Sequence, residues 1–481
     1  MAIMVIILIL IAFFTGIQHE LQDEEPRRAV IAIEMLLTGD YLQPKIFGEP
    51  YYNKPPFFNW LIALAYNLTG KFDEWVVRLP SLLFLLLTAV VNYLFLKRHL
   101  AKEVALLSSF FLLTSADILF YGSFHSGEID LSLTLPVYFQ VISIFIFYEK
   151  RRFLLLFMTS YFFAAIVFLF KHFAAFVFQG LAILSLVVYS KNWKLLFTWQ
   201  HVAGLITFVG VTGSYFFIYS LEHPIDMYLA NLFFETSLKS SAKNWQHGLA
   251  HVLIYPLNLI KLLLPWSLLY YFLFRKNGLS IIKAQPLIYF SFIFSSVVII
   301  FHWFLPETRN RYLYPVFIFT IMPLAYFFNH FLKHKIKWAL MFMMLLVVAR
   351  IFFNFLYLHQ KPFKYQTQFT EVVDIANGEQ VYFCSWPYIY EAGLKINKQS
   401  IFNYEIETGP PVPPHIPYYY SKTSKKILYF RPEPQQGNYY LAPVDFIQDR
   451  KIVVYSTLEV DWIKNGLLFF KLTPSDDSIE E

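Results

Sequence analysis

About eleven stretches of helix length in this chain carry almost no charge, and their recurrence fixes the medium in which it folds. They cover roughly residues 4–17, 76–96, 104–121, 131–148, 153–170, 173–189, 200–220, 254–274, 286–304, 312–330 and 337–357. Hydrocarbon offers no partner to a backbone N–H or C=O, so segments of this kind cross it as helices, which close those bonds internally. Composition points the same way. Of 481 residues, 57% are hydrophobic and 15% charged, with a mean hydropathy of +0.48, more apolar than a water-soluble domain can bury. The expected fold class is an α-helical polytopic membrane protein. The first span has no basic flank and no Ala-x-Ala-like site follows it, so it is read as a retained anchor.

Charge orders the connections. Lys97, Arg98 and Lys102 form one basic cluster, and Lys150, Arg151 and Arg152 a second. Lys191 with Lys194, then Arg275, Lys276 and Lys283, then Lys333, Lys335 and Lys337 complete the set, all on alternate loops. A cytoplasmic amino terminus puts every cluster inside, as the positive-inside rule requires. The formal charge of +6 is thereby assigned to topology, and no nucleic-acid partner is implied. Four parts then face outward: Gln18 to about Pro80, Ser123–Asp130, Leu221–Gly248, and everything beyond about Leu358. The tail is polar, Pro-rich between Gly409 and Pro417, and has strand-like runs at Val381–Trp386, Lys426–Phe430 and Ile452–Tyr455. The expected division is a membrane domain over 1–357, including a first extracytoplasmic loop over 18–75, and a small α/β domain over 358–481 outside the membrane. The single cysteine, Cys384, excludes an intrachain disulfide and a Cys-based zinc site.

A transporter or channel places ionisable residues within its spans, and these spans read as nearly clean. Charge gathers instead in the first outward segment: Asp23, Glu24, Glu25, Arg27, Arg28, Glu34, Asp40, Lys45, Glu49 and Lys54. Ala29–Leu37 has helical spacing, Gly39-Asp40 stops it, and Gly48-Glu49-Pro50 with Lys54-Pro55-Pro56 forces an extended turn. Phe57–Leu68 is apolar but too short to span, and reads as an interfacial helix. A hydrophobic shelf beside carboxylates and a lysine suits a lipid-linked phosphate; the same charges also fit a solvated cap on the bundle. His125, Glu128, Asp130 and Asp23 or Glu24 are metal-compatible ligand types, so a divalent metal is compatible with the chain, although their spacing matches no compact site and no cofactor is demanded.

The run EEPRRAVIAIEMLLTGDYLQPKIFGEPYYNKPPFFNWLIALAYNLTG, followed by VVRLPS, resembles the first outward loop of the superfamily of dolichyl-phosphate-mannose protein mannosyltransferases and aminoarabinose transferases. Asp130, Lys171, Leu264-Pro265-Trp266 and Arg311-Tyr312-Leu313-Tyr314-Pro315 echo later positions in the same order. The resemblance implies a GT-C fold in a bacterial inner membrane, with the active site and C-terminal domain on the periplasmic side. It implies a glycosyltransferase that moves a sugar, with inversion, from a polyprenyl-phosphate donor to a lipid A, glycolipid or protein acceptor, among membrane lipids. Glu24 is then the general base, which an alcohol nucleophile needs, with Asp23 and Asp130 as the alternatives. Lys54 and Arg27 are the expected cations at the donor phosphate, with Lys171, Arg309 and Arg311 behind them. His247 and Glu25 are the expected acceptor contacts. The chain departs from the pattern in having Glu24 where the family usually has Asp, and Asn53 where an acidic residue precedes the lysine. A lipid-linked sugar flippase and a polysaccharide polymerase or ligase are the rival functions.

Overall fold

The computed structural model describes residues 1–240, 245–275, 277–305, 308–360, 364–383, 415–430, 437–443, 456–464 and 467–474. The chain forms two compact units, one from Met1–His19 with Arg78–Lys361 and the other from Glu20–Val77 with Pro362–Glu481.

The first unit is helical. Among the described residues, seven segments are long and apolar enough to cross a membrane: Glu74–His99, Ile129–Glu149, Phe153–Phe170, His172–Ser190, Trp199–Glu222, Pro286–Trp303 and Asn310–Tyr357. The protein is therefore multi-pass. The remaining expected spans are present as shorter or broken helices. The first is Ala2–Thr15, and the third stops at Leu113 and resumes as a π turn over Ile118–Gly122. At that stop Thr114 and Ser115 Oγ donate to the Phe110 and Leu112 carbonyls at 2.6 and 2.8 Å. The eighth breaks between Trp245–Leu262 and Leu268–Arg275 around Pro265, and the last two run through one 48-residue segment, turning at Lys333–Lys335.

Polar groups at membrane depth pair along helix contacts. Ser81 meets Ser132 at 2.9 Å, Thr88 donates to Thr134 at 3.1 Å, and Tyr138 donates to Asn92 at 3.4 Å. Gln140 donates to Gln179 at 2.5 Å. Such bonds hold spanning helices together where the hydrophobic effect cannot. The spans are less clean than expected from hydropathy, since they hold Asp117, Lys261 and a fully buried Arg350. Asp117 follows the break after Leu113 and Lys261 sits one residue before the break at Leu262, so an averaged hydropathy passes over both.

The second unit joins the first outward segment to the C-terminal one. Its helices include Glu25–Thr38, Phe57–Thr69, Lys364–Ala376 and His415–Ser424. Its strands are β1 Lys45–Ile46, β2 Glu49–Pro50, β3 Val381–Phe383, β4 Tyr429–Phe430, β5 Tyr439–Pro443, β6 Ser456–Lys464 and β7 Leu467–Pro474. β1 and β2 form a small hairpin; the other five form one sheet in the order β4-β3-β5-β7-β6, with β3 parallel to β4 and β5. The α/β character of the tail is thus present, while the run at Ile452–Tyr455 lies outside the described residues. Compactness divides the chain differently from the sequence boundary at 357/358. His415 bonds the Leu21 carbonyl at 2.7 Å, Tyr418 donates to the Phe72 carbonyl at 3.0 Å, and Lys422 grips both oxygens of Glu74 at 2.8 Å.

Local signals in the first outward segment explain its shape. Pro26 opens the helix Glu25–Thr38, and Gly39, at φ 75°, closes it with its N–H on the Met35 carbonyl. Inside that helix Glu34 is fully buried, and its two oxygens accept the Phe47 and Gly48 N–H groups at 2.8 and 3.0 Å. The carboxyl therefore pins the β1–β2 turn, where Phe47 and Gly48 both have positive φ. Burial outweighs these bonds and pushes Glu34 up to about 8. A raised carboxyl makes the fold bind a proton that the unfolded chain releases, so stability is full below the unfolded value of 4.5 and declines as pH rises through about 8. Thermal unfolding of wild type and Glu34→Gln across that range is expected to show the decline in wild type and a flatter profile in the variant.

Candidate active-site residues

In the first unit, four charged side chains from three chain regions converge. Glu128 caps the short helix Ile129–Ser132, whose first turn carries Asp130. From that first turn the Asp130 carboxylate reaches side chains of other segments. Lys171 interrupts two spanning helices with extended backbone, φ −160° and ψ 93°, and donates to Asp130 Oδ1 at 2.5 Å. Arg311, in the turn Asn310–Leu313, pairs with Glu128 and brings its Nε to 3.2 Å from Asp130 Oδ2. The Lys171 ammonium also lies 3.8 Å from the centre of the Tyr312 ring. All four side chains are at most 16% exposed. Two carboxylates and two cations so placed form a neutral set, which makes the burial of each charge tolerable. When an anion approaches, the same cations can turn to it.

In the second unit, Glu24 stands at the start of the helix Glu25–Thr38, and its Oε2 accepts from Arg27 at 2.9 Å and Arg28 at 3.2 Å. Arg28 also reaches the Tyr51 hydroxyl at 3.4 Å, and both guanidiniums lie about 6 Å from that ring, at 6.0 and 5.9 Å. Asn59 Nδ2 donates to the Arg28 carbonyl at 2.9 Å, tying the interfacial helix to this group. Glu25 is buried and accepts the Gln22 N–H at 3.0 Å. Asp23 is exposed, at φ 50°. Lys54 is half-buried, with its ammonium donating to the Asn53 carbonyl at 2.8 Å.

The structure thus brings together Asp130, Lys171 and Arg311, and separately Glu24, Arg27 and Arg28. Arg309 is exposed beside Arg311. His247 lies on the helix Trp245–Leu262, its side chain outside the described residues. Sequence reasoning named Glu128 as a ligand type but missed its pairing with Arg311, 183 residues away. It also missed Tyr312, for which the adjacent Arg311-Tyr312 echo was the available signal.

Residues 53–215 match the family model described as dolichyl-phosphate-mannose-protein mannosyltransferase. The chain is 28% identical to an uncharacterized protein of Aquifex aeolicus over 61% of this chain and 58% of that one. It is 28% identical to the undecaprenyl phosphate-alpha-4-amino-4-deoxy-L-arabinose arabinosyl transferase of Pseudomonas paraeruginosa, over 38% of this chain and 34% of the relative. In neither case does the match reach two thirds of the relative's length. The crystal structure of ArnT from Cupriavidus metallidurans bound to undecaprenyl phosphate has the same fold, with a TM-score of 0.70 at 13% identity over 97% of both chains. Part of the sequence thus resembles dolichyl-phosphate-mannose-protein mannosyltransferases and the arabinosyl transferases, and the fold is the GT-C fold of the ArnT structure.

Proposed function

We propose that the chain transfers a sugar from a polyprenyl-phosphate donor to a lipid acceptor at the periplasmic face of a bacterial inner membrane. The observation that carries this is the set Glu128, Asp130, Lys171 and Arg311, in which exchangeable cations are held by carboxylates inside a unit of spanning helices. Ionisable residues among spanning helices are costly to bury and mark functional sites. The arabinosyl transferase relatives support the donor class by their names, which specify an undecaprenyl phosphate-linked aminoarabinose.

In this mechanism the acceptor hydroxyl attacks the anomeric carbon as the bond to the lipid phosphate breaks, with inversion. Glu24 takes the proton, and Asp23 and Asp130 are the other carboxylates able to do so. Negative charge grows on the departing phosphate, so cations that tighten on it in the transition state raise the rate. Lys54 is the first of these, its backbone held by Pro55 and Pro56. Arg27 joins it by exchanging its bond to Glu24 for one to phosphate, which frees a lone pair on the base at the same moment. Lys171, Arg309 and Arg311 are the second-line candidates for cations at the phosphate. Glu25 and His247 are assigned to acceptor binding. A divalent cation near Asp130 has to compete with Lys171 and Arg311 for the same oxygens.

Transfer of radiolabelled sugar from polyprenyl phosphate to a lipid fraction tests the assignment. Glu24→Gln is expected to lower kcat by roughly a hundredfold or more, and Lys54→Ala to lower kcat/KM by roughly tenfold or more, both with normal folding. Undiminished transfer by Glu24→Gln moves the base to Asp23 or Asp130. Absence of transfer by wild type from every polyprenyl-phosphate sugar contradicts the function.

A second outcome follows from the charge pairing. Asp130→Asn leaves two cations with one carboxylate, so it is expected to reduce both thermal stability and transfer. Asp130→Asn combined with Lys171→Met is expected to regain stability but not transfer. Unfolding curves and initial rates of the single and double variants distinguish these effects.

A further inference from the structure

Arg350 stands in the last spanning helix, Ile336–Gln360, and is fully buried. It lies seven residues before Tyr357, the end of the apolar segment, or roughly 10 Å along the helix axis. Its Nε donates to the Leu119 carbonyl at 2.6 Å. Its guanidinium carbon lies 4.7 Å from the centre of the Phe124 ring and 5.8 Å from that of Phe353. The two terminal nitrogens meet no hydrogen-bond partner among the described residues, and no carboxylate pairs with the group there. A guanidinium does not shed its proton in a protein, and an uncompensated buried charge is destabilising. Methionine fills a similar volume without that cost. The fold's stability therefore does not explain why an arginine stands here.

What the side chain holds is informative. Leu119 belongs to the π turn Ile118–Gly122, in which the Ser123 N–H donates five residues back to the Ile118 carbonyl at 2.8 Å. The Leu119 carbonyl is taken instead by two side chains, Ser123 Oγ at 3.0 Å and Arg350 Nε. The chain then passes through Phe124, whose ring faces the guanidinium, to Ser126 and Glu128. Ser126 Oγ donates to the Arg78 carbonyl at 3.4 Å, and Ser81 Oγ donates to the Glu128 carbonyl at 3.0 Å. Residues 123–128 are thus fixed by Arg350 at their start and by the helix Glu74–His99 further on. They end at the carboxylates that pair with Arg311 and Lys171.

We propose that Arg350 is a positioning residue that clamps the π turn and the Phe124 ring, so that the Ser123–Glu128 segment delivers Glu128 and Asp130 to Arg311 and Lys171 in one fixed register. The clamp stands on geometry alone; its effect on rate rests on the transfer function proposed above.

Hydrogen exchange over residues 118–132 of the full-length protein, with thermal unfolding and transfer kinetics on the same samples, tests this for Arg350→Met and Arg350→Lys. Arg350→Met is expected to unfold no earlier than wild type while residues 123–128 exchange faster. Its kcat is expected to fall roughly tenfold, with the donor KM changed by less than about twofold. Arg350→Lys, which keeps the charge and a donor, is expected to recover part of both effects. Exchange and kcat equal to wild type in Arg350→Met overturn the proposal. If that variant does not fold, Phe124→Leu removes the ring under the guanidinium and is judged by the same two readouts. A wild type that transfers nothing defeats the transfer function, and the exchange data still decide the clamp.

Discussion

Hydrocarbon solvates no charge and no unpaired polar group, and the internal pairing this forces shapes the helical unit. Serine, threonine, asparagine and glutamine side chains within the spans find one another across helix contacts, as Ser81 does with Ser132 and Gln140 with Gln179. The same demand assembles the charged set. Asp130 is tolerable where it is buried because Lys171 and Arg311 reach it, and Arg311 because Glu128 does. Chain segments far apart in sequence thereby meet at one place through ion pairs as well as through apolar packing.

The proposed sugar transfer fits this pairing. Cations already neutralised by carboxylates can be lent to a phosphate whose charge is growing, and the carboxylates they leave become better proton acceptors. The second unit repeats the pattern in a wetter setting, where Glu24 links Arg27 and Arg28 beside Tyr51. Its C-terminal segment contributes to this environment through packing within the unit: His415, Tyr418 and Lys422 fasten residues on either side of the helices Glu25–Thr38 and Phe57–Thr69.

Local signals were the most legible. The helix expected over Ala29–Leu37 runs Glu25–Thr38 and stops at Gly39 as anticipated, and the short apolar helix expected over Phe57–Leu68 runs Phe57–Thr69. Each depends on neighbours in sequence. Hydropathy located the spans but not their breaks, because an average over side chains does not register a local backbone change such as the one after Leu113. Glu34 read as one more charge in a polar loop, yet it is buried, because the Phe47–Gly48 turn folds over it from thirteen residues away. The pairing of Glu128 with Arg311 was illegible, since nothing in either neighbourhood specifies a partner 183 positions distant.

The most direct test of the account is mass spectrometry of the lipids of cells lacking this protein, complemented by wild type or by Asp130→Asn. The account predicts that one lipid class loses the mass of a single sugar in the deletion, regains it with wild type, and does not regain it with Asp130→Asn. Identical lipid profiles with and without the protein would contradict it.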